Sequence, residues 1–384
     1  MSELGCAQEY KVVIHWLGGA RPFTAPGAVS LTSVTWNRTV NDTSEATIVI
    51  NKGTAGTSCC ADLGRIEPWV HELTVYRNGE LVWQGPIIRV TENATRFLVE
   101  AWDVTAWLAR CVNTTLLRYL STNPSDPRHV GPVQEIAETI IRANLEGGLY
   151  APSPDWPRML PYIVRDDDTT VTRFEKDGSD NNSVWQVPIL TIMNDELVPR
   201  GLEYTTVGRA LILGRSQTTS DKAQARLSLD SFAGDVEIVR DGTAGTTLVW
   251  VTNQNDQEIS GAQFGVSGVI SGVYGRLDLL VRSTAEGLSA YDLWQIARAS
   301  YNGRNPMPTS LKIPDGAGLS PRAPVTIHQL VPGVRIDVAA DGMCMGLTQP
   351  YRLSDLDVEW RDSAEKVGVS LVPIGDPYTG APPA

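Results

Sequence analysis

Four histidines, five cysteines and two acidic stretches are where catalysis or metal binding would have to begin in this 384-residue chain. His15, His71, His129 and His328 are spread over more than 300 positions, and none stands at i, i+2 or i+4 from a second ligand type in a metal pattern. No nitrogen–sulfur metal set is therefore spelled out. Cys6, Cys59, Cys60, Cys111 and Cys344 form no C-x-x-C pair and no repeated spacing, which points to reduced thiols rather than a disulfide framework or a zinc site. Asp166-Asp167-Asp168 and Asp177-Gly178-Ser179-Asp180-Asn181-Asn182 gather hard oxygens in one polar loop, the donors that Ca²⁺ selects. Their spacing departs from an EF-hand and lacks its closing Glu, so a solvated acidic loop is the reading, with a metal there left open.

Nucleophilic chemistry fares no better. Gly265-Val266-Ser267-Gly268 and Gly268-Val269-Ile270-Ser271-Gly272 approach a nucleophile elbow without its spacing and read as bends or bulges in Gly-rich strands. There is no H-E-x-x-H, no Walker lysine loop and no G-x-G-x-x-G opening a helix. A carboxylate pair for glycoside cleavage needs convergence in space that spacing does not display. Among 11 tryptophans, Trp16, Trp36, Trp69, Trp83, Trp102, Trp107 and Trp360 suit either sugar stacking or a core. Most alternate with apolar residues inside strands, which favours the core. The sequence names no catalytic, cofactor-binding or metal residue.

The elements around these residues are mostly strands. With 34 Gly and 24 Pro, the chain is interrupted too often for long helices, and 42% hydrophobic residues exclude a disordered polymer. The length predicts two to four domains. Leu73–Arg77 and Glu80–Gln84 flank Asn78-Gly79, the signature of a type I′ hairpin. Ala46–Ile50 and Arg96–Trp102 are further strands, and Asp103 is placed to cap a short turn through Ala106-Trp107-Leu108. Ile136, Ala137, Ile140, Ile141 and Leu145 share one helical face after Pro132, predicting a helix over 133–145. A second helix is expected from Ser183 to about Leu197 with Pro188 in its first turn, and a third from a capping box at Ser289–Asp292 to Tyr301. Leu202–Tyr204, Ala210–Leu213, Val334–Val338, an Asp341-Gly342 turn, Leu356–Trp360 and Val367–Leu371 restore the β pattern. Pro373 to Ala384 reads as an extended arm. The fold class is mainly β with minor α, multidomain.

The formal charge of −12 argues against general phosphate-backbone binding, which rests on Lys and Arg. No stretch approaches the ~18–20 apolar residues that span a bilayer, and the N-terminus carries no secretion signal, so folding in a cytoplasm is expected.

Val75-Tyr76-Arg77-Asn78-Gly79-Glu80-Leu81-Val82-Trp83-Gln84-Gly85-Pro86-Ile87, then Val99 to Leu108, resembles the first domain of siphophage tail-tip hub proteins, the minor tail proteins of actinobacterial phages. The resemblance extends through the helix at 133–145, Gly201 to Gly214, and the closing hairpin from Val358-Glu359-Trp360 to Val369-Ser370-Leu371. It implies a homotrimeric hub like that of contractile-tail baseplates, with two tail-tube-like β-barrels and helix-containing insertion domains per subunit. Residues 1–118 would form the first barrel, 119–200 an α+β domain with two helices, 201–308 a β-rich domain contributing to the second barrel, and 309–384 the rest of that barrel with the arm. The implied partners are a distal tail protein, a tape measure protein and tip or receptor-binding proteins, with genomic DNA only in passage through the lumen. The implied location is the virion tail tip, assembled in the host cytoplasm. No enzymatic activity and no cofactor are implied. A carbohydrate-binding or glycan-cleaving tail protein and a distal-tail or tube subunit are the alternatives. A hub ring with an acidic lining would repel passing DNA over a ~8–10 Å screening length.

Overall fold

The computed structural model describes residues 4–19, 21–23, 31–52, 63–114, 129–145, 159–166, 171–174, 186–215, 223–243, 245–252, 262–264, 275–282, 293–294, 297, 301 and 309–374. The chain divides into two compact units: Met1–Gly234 with Pro314–Asp337 and Tyr351–Val372, and Asp235–Ile313 with Val338–Pro350 and Pro373–Ala384. It is mainly β, and its largest sheet curls as a half-barrel.

Among the described residues that sheet has 11 strands. Six come early: β1 (Tyr10–Trp16), β2 (Leu31–Thr39), β3 (Glu45–Asn51), β4 (His71–Arg77), β5 (Glu80–Glu92) and β6 (Arg96–Trp102). Five come late: β12 (Ala225–Ser228), β18 (Ala317–Gly318), β19 (Arg335–Ala339), β20 (Thr348–Arg361) and β21 (Ala364–Pro373). The order is β1-β4-β5-β6-β3-β2-β20-β19-β12, with β21 hydrogen-bonded to β20 and β18. The early and late strands meet where β2 pairs antiparallel with β20, from Ser33↔Arg361 to Thr39↔Asp355.

Alternation explains which face is buried. Val34, Trp36, Ile48, Ile50, Phe97, Val99, Leu356, Val358, Val367 and Val369 turn inward and are almost inaccessible, while their neighbours in sequence face outward, as period-2 strands require. Each such apolar side chain contributes about 1.5–3 kcal/mol by leaving water. The Asn78-Gly79 hairpin forms as its sequence predicts, with φ of 49° and 83° and Arg77 opposite Glu80. Asp362 and Ser363 take positive φ between β20 and β21, without a glycine.

Between the early and late strands, the first unit carries α1 (Thr105–Arg110), β7 (His129–Pro132), α2 (Val133–Leu145), β8 (Tyr162–Arg165), β9 (Val171–Phe174), α3 (Ile189–Ile192), β10 (Leu202–Val207) and β11 (Ala210–Arg215). Helix α2 has the bounds its periodicity predicts, and Ile136, Ala137, Ile140, Ile141 and Leu145 bury against α3 and the β10–β11 hairpin. The second predicted helix begins later than expected. Gln186 has φ 60° and Pro188 is extended at ψ 139°, so helical structure starts at Ile189. The restriction on a residue preceding proline keeps Val187 out of the α region, and Pro188, itself extended, stands at the cap rather than in the first turn. The helix then widens into a π turn over Met193–Leu197, tightens over Val198–Arg200 and stops at Gly201, φ 96°. Ser183–Trp185 lie outside the described residues.

In the second unit, β14 (Leu248–Thr252) pairs antiparallel with β15 (Ala262–Phe264) and parallel with β16 (Asp278–Arg282), while β13 (Glu237–Arg240) pairs with β17 (Thr309–Lys312). Val249 and Val251 pack with Leu293, Ala297 and Tyr301, the described positions of the third predicted helix. Its capping box at 289–292 and the arm beyond Ile374 lie outside the described residues.

Candidate functional site

The outward face of the large sheet collects the first unit's polar strand residues into cross-strand rows. Arg89 stands opposite Glu100, Glu100 opposite Thr47, Thr47 opposite Thr35 and Thr35 opposite Glu359, so one row runs over β5, β6, β3, β2 and β20. A second row places Asp357 beside Asn37, whose Oδ1 accepts the Glu45 N–H at 2.5 Å. Thr35, Thr47, Asn37, Glu45, Asp357, Glu359 and Lys366 border a hollow of about 400 Å³, with Trp36, Ala46 and Val358 also lining it. Around the hollow Glu45, Asp357 and Glu359 face Lys366; the wider face adds Glu100 and Asp355 and also Arg89, Arg96 and Arg361, and Arg89 is engaged with Glu100 at 3.4 Å. Partial burial, then the neighbouring Asp355, holds the Asp357 carboxyl above its ordinary range. The carboxylates around the hollow disfavour phosphate.

Behind this face, buried polar contacts fix the strands. Glu365 on β21 receives Arg77 Nε and Nη2 from β4, both at 2.7 Å, along with the Tyr10 hydroxyl from β1 at 2.7 Å and the Ala7 N–H at 3.3 Å. Arg77 and Glu365 side chains are 2% and 0% exposed. Burial and then the Glu365 charge raise the Tyr10 pKa far above that of a free phenol. Asp103 is equally enclosed. Its Oδ1 accepts the Thr105 N–H at 2.8 Å, capping α1 as its position predicts, and its Oδ2 accepts the Ser44 N–H at 2.9 Å and the Thr206 hydroxyl at 2.7 Å. Burial raises its pKa against those three donors and the Thr105 hydroxyl, which reaches Oδ1 at 2.5 Å.

The β10–β11 hairpin is held by similar ties. Arg209 pairs with Glu72, Arg352 with Glu203, and Asn41 exchanges both of its backbone-facing bonds with Tyr204 at 2.8 and 2.9 Å. Arg38, 1% exposed, lies 5.1 Å from the Trp36 ring and donates to the Val82 carbonyl at 2.6 Å; burial lowers its pKa to about 10.

The residues first considered for chemistry do not converge among the described residues. His71 is buried in a ring cluster with Trp16 and Phe23, at 4.7 and 4.1 Å between centroids, and burial lowers its pKa. His328 is exposed and bonds Glu80 at 2.7 Å. Asp166 accepts Gln134 Nε2 at 2.8 Å; Asp167, Asp168 and 177–182 lie outside the described residues, as do 265–272 and Cys59-Cys60. Trp36, Trp83 and Trp107 are buried, while Trp16, Trp69, Trp102 and Trp360 are half-buried. No cluster of three or more His, Cys, Asp or Glu able to hold a metal occurs among the described residues, and none of the described helices is long and apolar enough to cross a membrane.

Strand alternation signals the polar face, whereas the Glu365–Arg77 pair, 288 positions apart, leaves no local trace.

The mainly β fold with its curled half-barrel sheet matches the folds of solved tail proteins. The 43 kDa tail protein of prophage MuSo2 from Shewanella oneidensis is similar with a TM-score of 0.54 at 12% identity, over 95% of this chain and 98% of that one. The tail protein of Neisseria meningitidis MC58 is similar at 0.53 and 13% identity, over 94% and 96%, and prophage tail protein gp18 of Listeria monocytogenes EGD-e at 0.50 and 9% identity, over 94% of each. At such identities the likeness is one of fold. No family model matches the chain, and no curated protein matches it.

Proposed function

We propose that this protein is a non-enzymatic structural component of a phage tail, specifically a homotrimeric tail-tip or baseplate hub of the siphophage minor tail type. The observation that carries the reading is the β2–β20 pairing, which brings the early and late strands into one sheet with a shared acid-rich face. In the proposed assembly residues 1–118 form one tube-like barrel, and strands after about 200 together with 309–384 form the second, with 119–200 inserted. Three chains then present six barrel walls, matching a sixfold tail tube or distal tail ring above to threefold tip components below. The face bearing Asp357, Glu359 and Glu45 lines the channel and keeps passing DNA from adhering, because like charge repels phosphate within a screening length of ~8–10 Å. The fold likeness to three tail proteins, over 94–95% of this chain, supports a tail role. Distal tail, tape measure and receptor-binding proteins are the proposed neighbours, and the virion tail tip, assembled in the host cytoplasm, is the proposed location.

Light scattering on the purified protein tests the oligomer. A mass three times that of the 41.7 kDa chain is expected. A monomer retarded on glycan columns would favour a carbohydrate-binding tail protein, and a sixfold ring a distal-tail or tube subunit.

A further inference from the structure

We propose that the corner where the end of β1 meets the start of β4 is a docking site for an acidic protein segment, gripped by arginines laid on aromatic rings. Arg21 lies over the Trp16 ring at 5.4 Å, Arg65 over Phe23 at 6.0 Å, and Arg110, the last residue of α1, over Trp69 at 5.4 Å. Trp16 stands opposite His71 in the strand register, and the rings of Trp16, Phe23 and His71 lie 4.1 to 5.4 Å apart. Arg21 and Arg65 therefore bracket one ring cluster. Trp69 is two residues before His71, and Val70 between them accepts the Leu17 N–H at 3.0 Å, so both ring groups hang on one stretch of backbone. Trp69 meets Trp107 edge-on at 4.9 Å and takes φ 66°, a state that bulky residues rarely adopt. Such strain persists where the surrounding fold fixes a side chain whose placement is used.

Charge and shape together decide the ligand. All three arginines are exposed, and none has an ion-pair partner among the described residues. Residues 14–23, 63–71 and 104–110 carry Arg21, Arg65 and Arg110 against Glu67 alone, a positive corner on a chain of −12. A guanidinium resting on a ring keeps its N–H edge free, and that fork fits a carboxylate with two parallel hydrogen bonds. Stacking also orders the long side chain beforehand, so less freedom is lost on binding. A nucleic-acid strand fits poorly. Trp16, Phe23 and Trp69 are half-buried and each lies under a guanidinium, which leaves no open platform for bases. An acidic protein segment needs no such platform, and complementary charge would orient it on this corner.

The test uses the full-length protein and a fluorescein-labelled all-glutamate peptide at low salt, with an all-glutamine peptide as the blank. Anisotropy should rise with the first peptide and stay flat with the second. Arg21→Gln/Arg65→Gln/Arg110→Gln should weaken binding about tenfold or more. Arg89→Gln/Arg361→Gln should leave it unchanged, since those exposed arginines already face Glu100 and Asp362. Arg21→Lys/Arg65→Lys/Arg110→Lys keeps the charge but loses the fork, and should weaken binding several-fold. Because the altered side chains are exposed, circular dichroism should show every variant folded. No binding by the parent, equal binding by the glutamine variant at 21, 65 and 110, or full binding by the lysine variant would overturn the proposal. A single-stranded oligonucleotide that binds this corner as tightly as the peptide would overturn it too.

Discussion

Replacing Glu365 by Gln tests whether the two ends of the first unit are held together by a charge pair. Two Arg77 nitrogens reach the carboxylate at 2.7 Å, the Tyr10 hydroxyl shares Oε1, and neither charged side chain is more than 2% exposed. The amide keeps the shape, but its NH₂ faces donors, and the Arg77 charge stays buried without its counter-ion. Breaking one partner of a buried pair costs about 3–5 kcal/mol, whereas removing both charges for apolar side chains of similar volume is often neutral. Glu365→Gln and Arg77→Met should each lower unfolding free energy by about 3–5 kcal/mol, and Arg77→Met/Glu365→Leu should recover most of that loss. Urea titration followed by tryptophan fluorescence reads the change, since Trp360 lies 5.5 Å from the Tyr10 ring. A loss below about 1 kcal/mol in the single variants, or strictly additive losses in the double variant, would refute the reasoning.

Other outcomes follow from the same geometry. Burial raises the folded-state pKa of Asp103, so the proton is held more tightly in the folded state than in the unfolded one. Stability is therefore fully present below the ordinary carboxylate value of about 4 and is lost as pH rises through the raised folded value. Relative to Asp103→Asn, the parent should lose stability as pH climbs from about 4, measured by denaturation at a series of pH values; a constant difference would remove Asp103 as the cause. A Cβ on Gly85 would sit 1.9 Å from the Trp102 carbonyl oxygen and 2.7 Å from Asp103 Cα, so Gly85→Ala should cost about 3 kcal/mol or more in thermal or urea unfolding. If the acid-rich face keeps DNA away, Asp357→Lys/Glu359→Lys should bind heparin or duplex DNA at low salt while the parent flows through. Retention of the parent would contradict the channel assignment.

Local signals were legible where one residue type dictates a backbone state. Asn78-Gly79 gave its turn because both residues tolerate positive φ, and α2 showed its bounds because its apolar residues repeat at helical spacing. The closing hairpin between Trp360 and Val369 was legible, but the site of its turn was not, since positive φ falls there on Asp362 and Ser363 rather than on a glycine. Helix α3 was read too early because Pro188 serves as its cap rather than as part of its first turn. The β2–β20 pairing and the contacts of Glu365 join residues far apart in sequence, and no periodicity encodes which strand meets which. For the polar face, outward positions were readable from alternation, but the row linking Arg89, Glu100, Thr47, Thr35 and Glu359 exists only after five strands are placed in register.

Strand β2 also sets a timetable for synthesis. One of its edges pairs with β3, which follows within a few residues, but the other pairs with β20, more than 300 positions later. At ~5–20 residues per second, a ribosome needs about 15–60 s to deliver that partner. For that interval a strand bearing Val34 and Trp36 presents an open hydrogen-bonding edge, the kind of surface that pairs with other chains. Nascent chains on one message, or fragments truncated before residue 348, should therefore be prone to aggregate through β2, and expression should improve when elongation is fast or when the β20–β21 segment is supplied in trans.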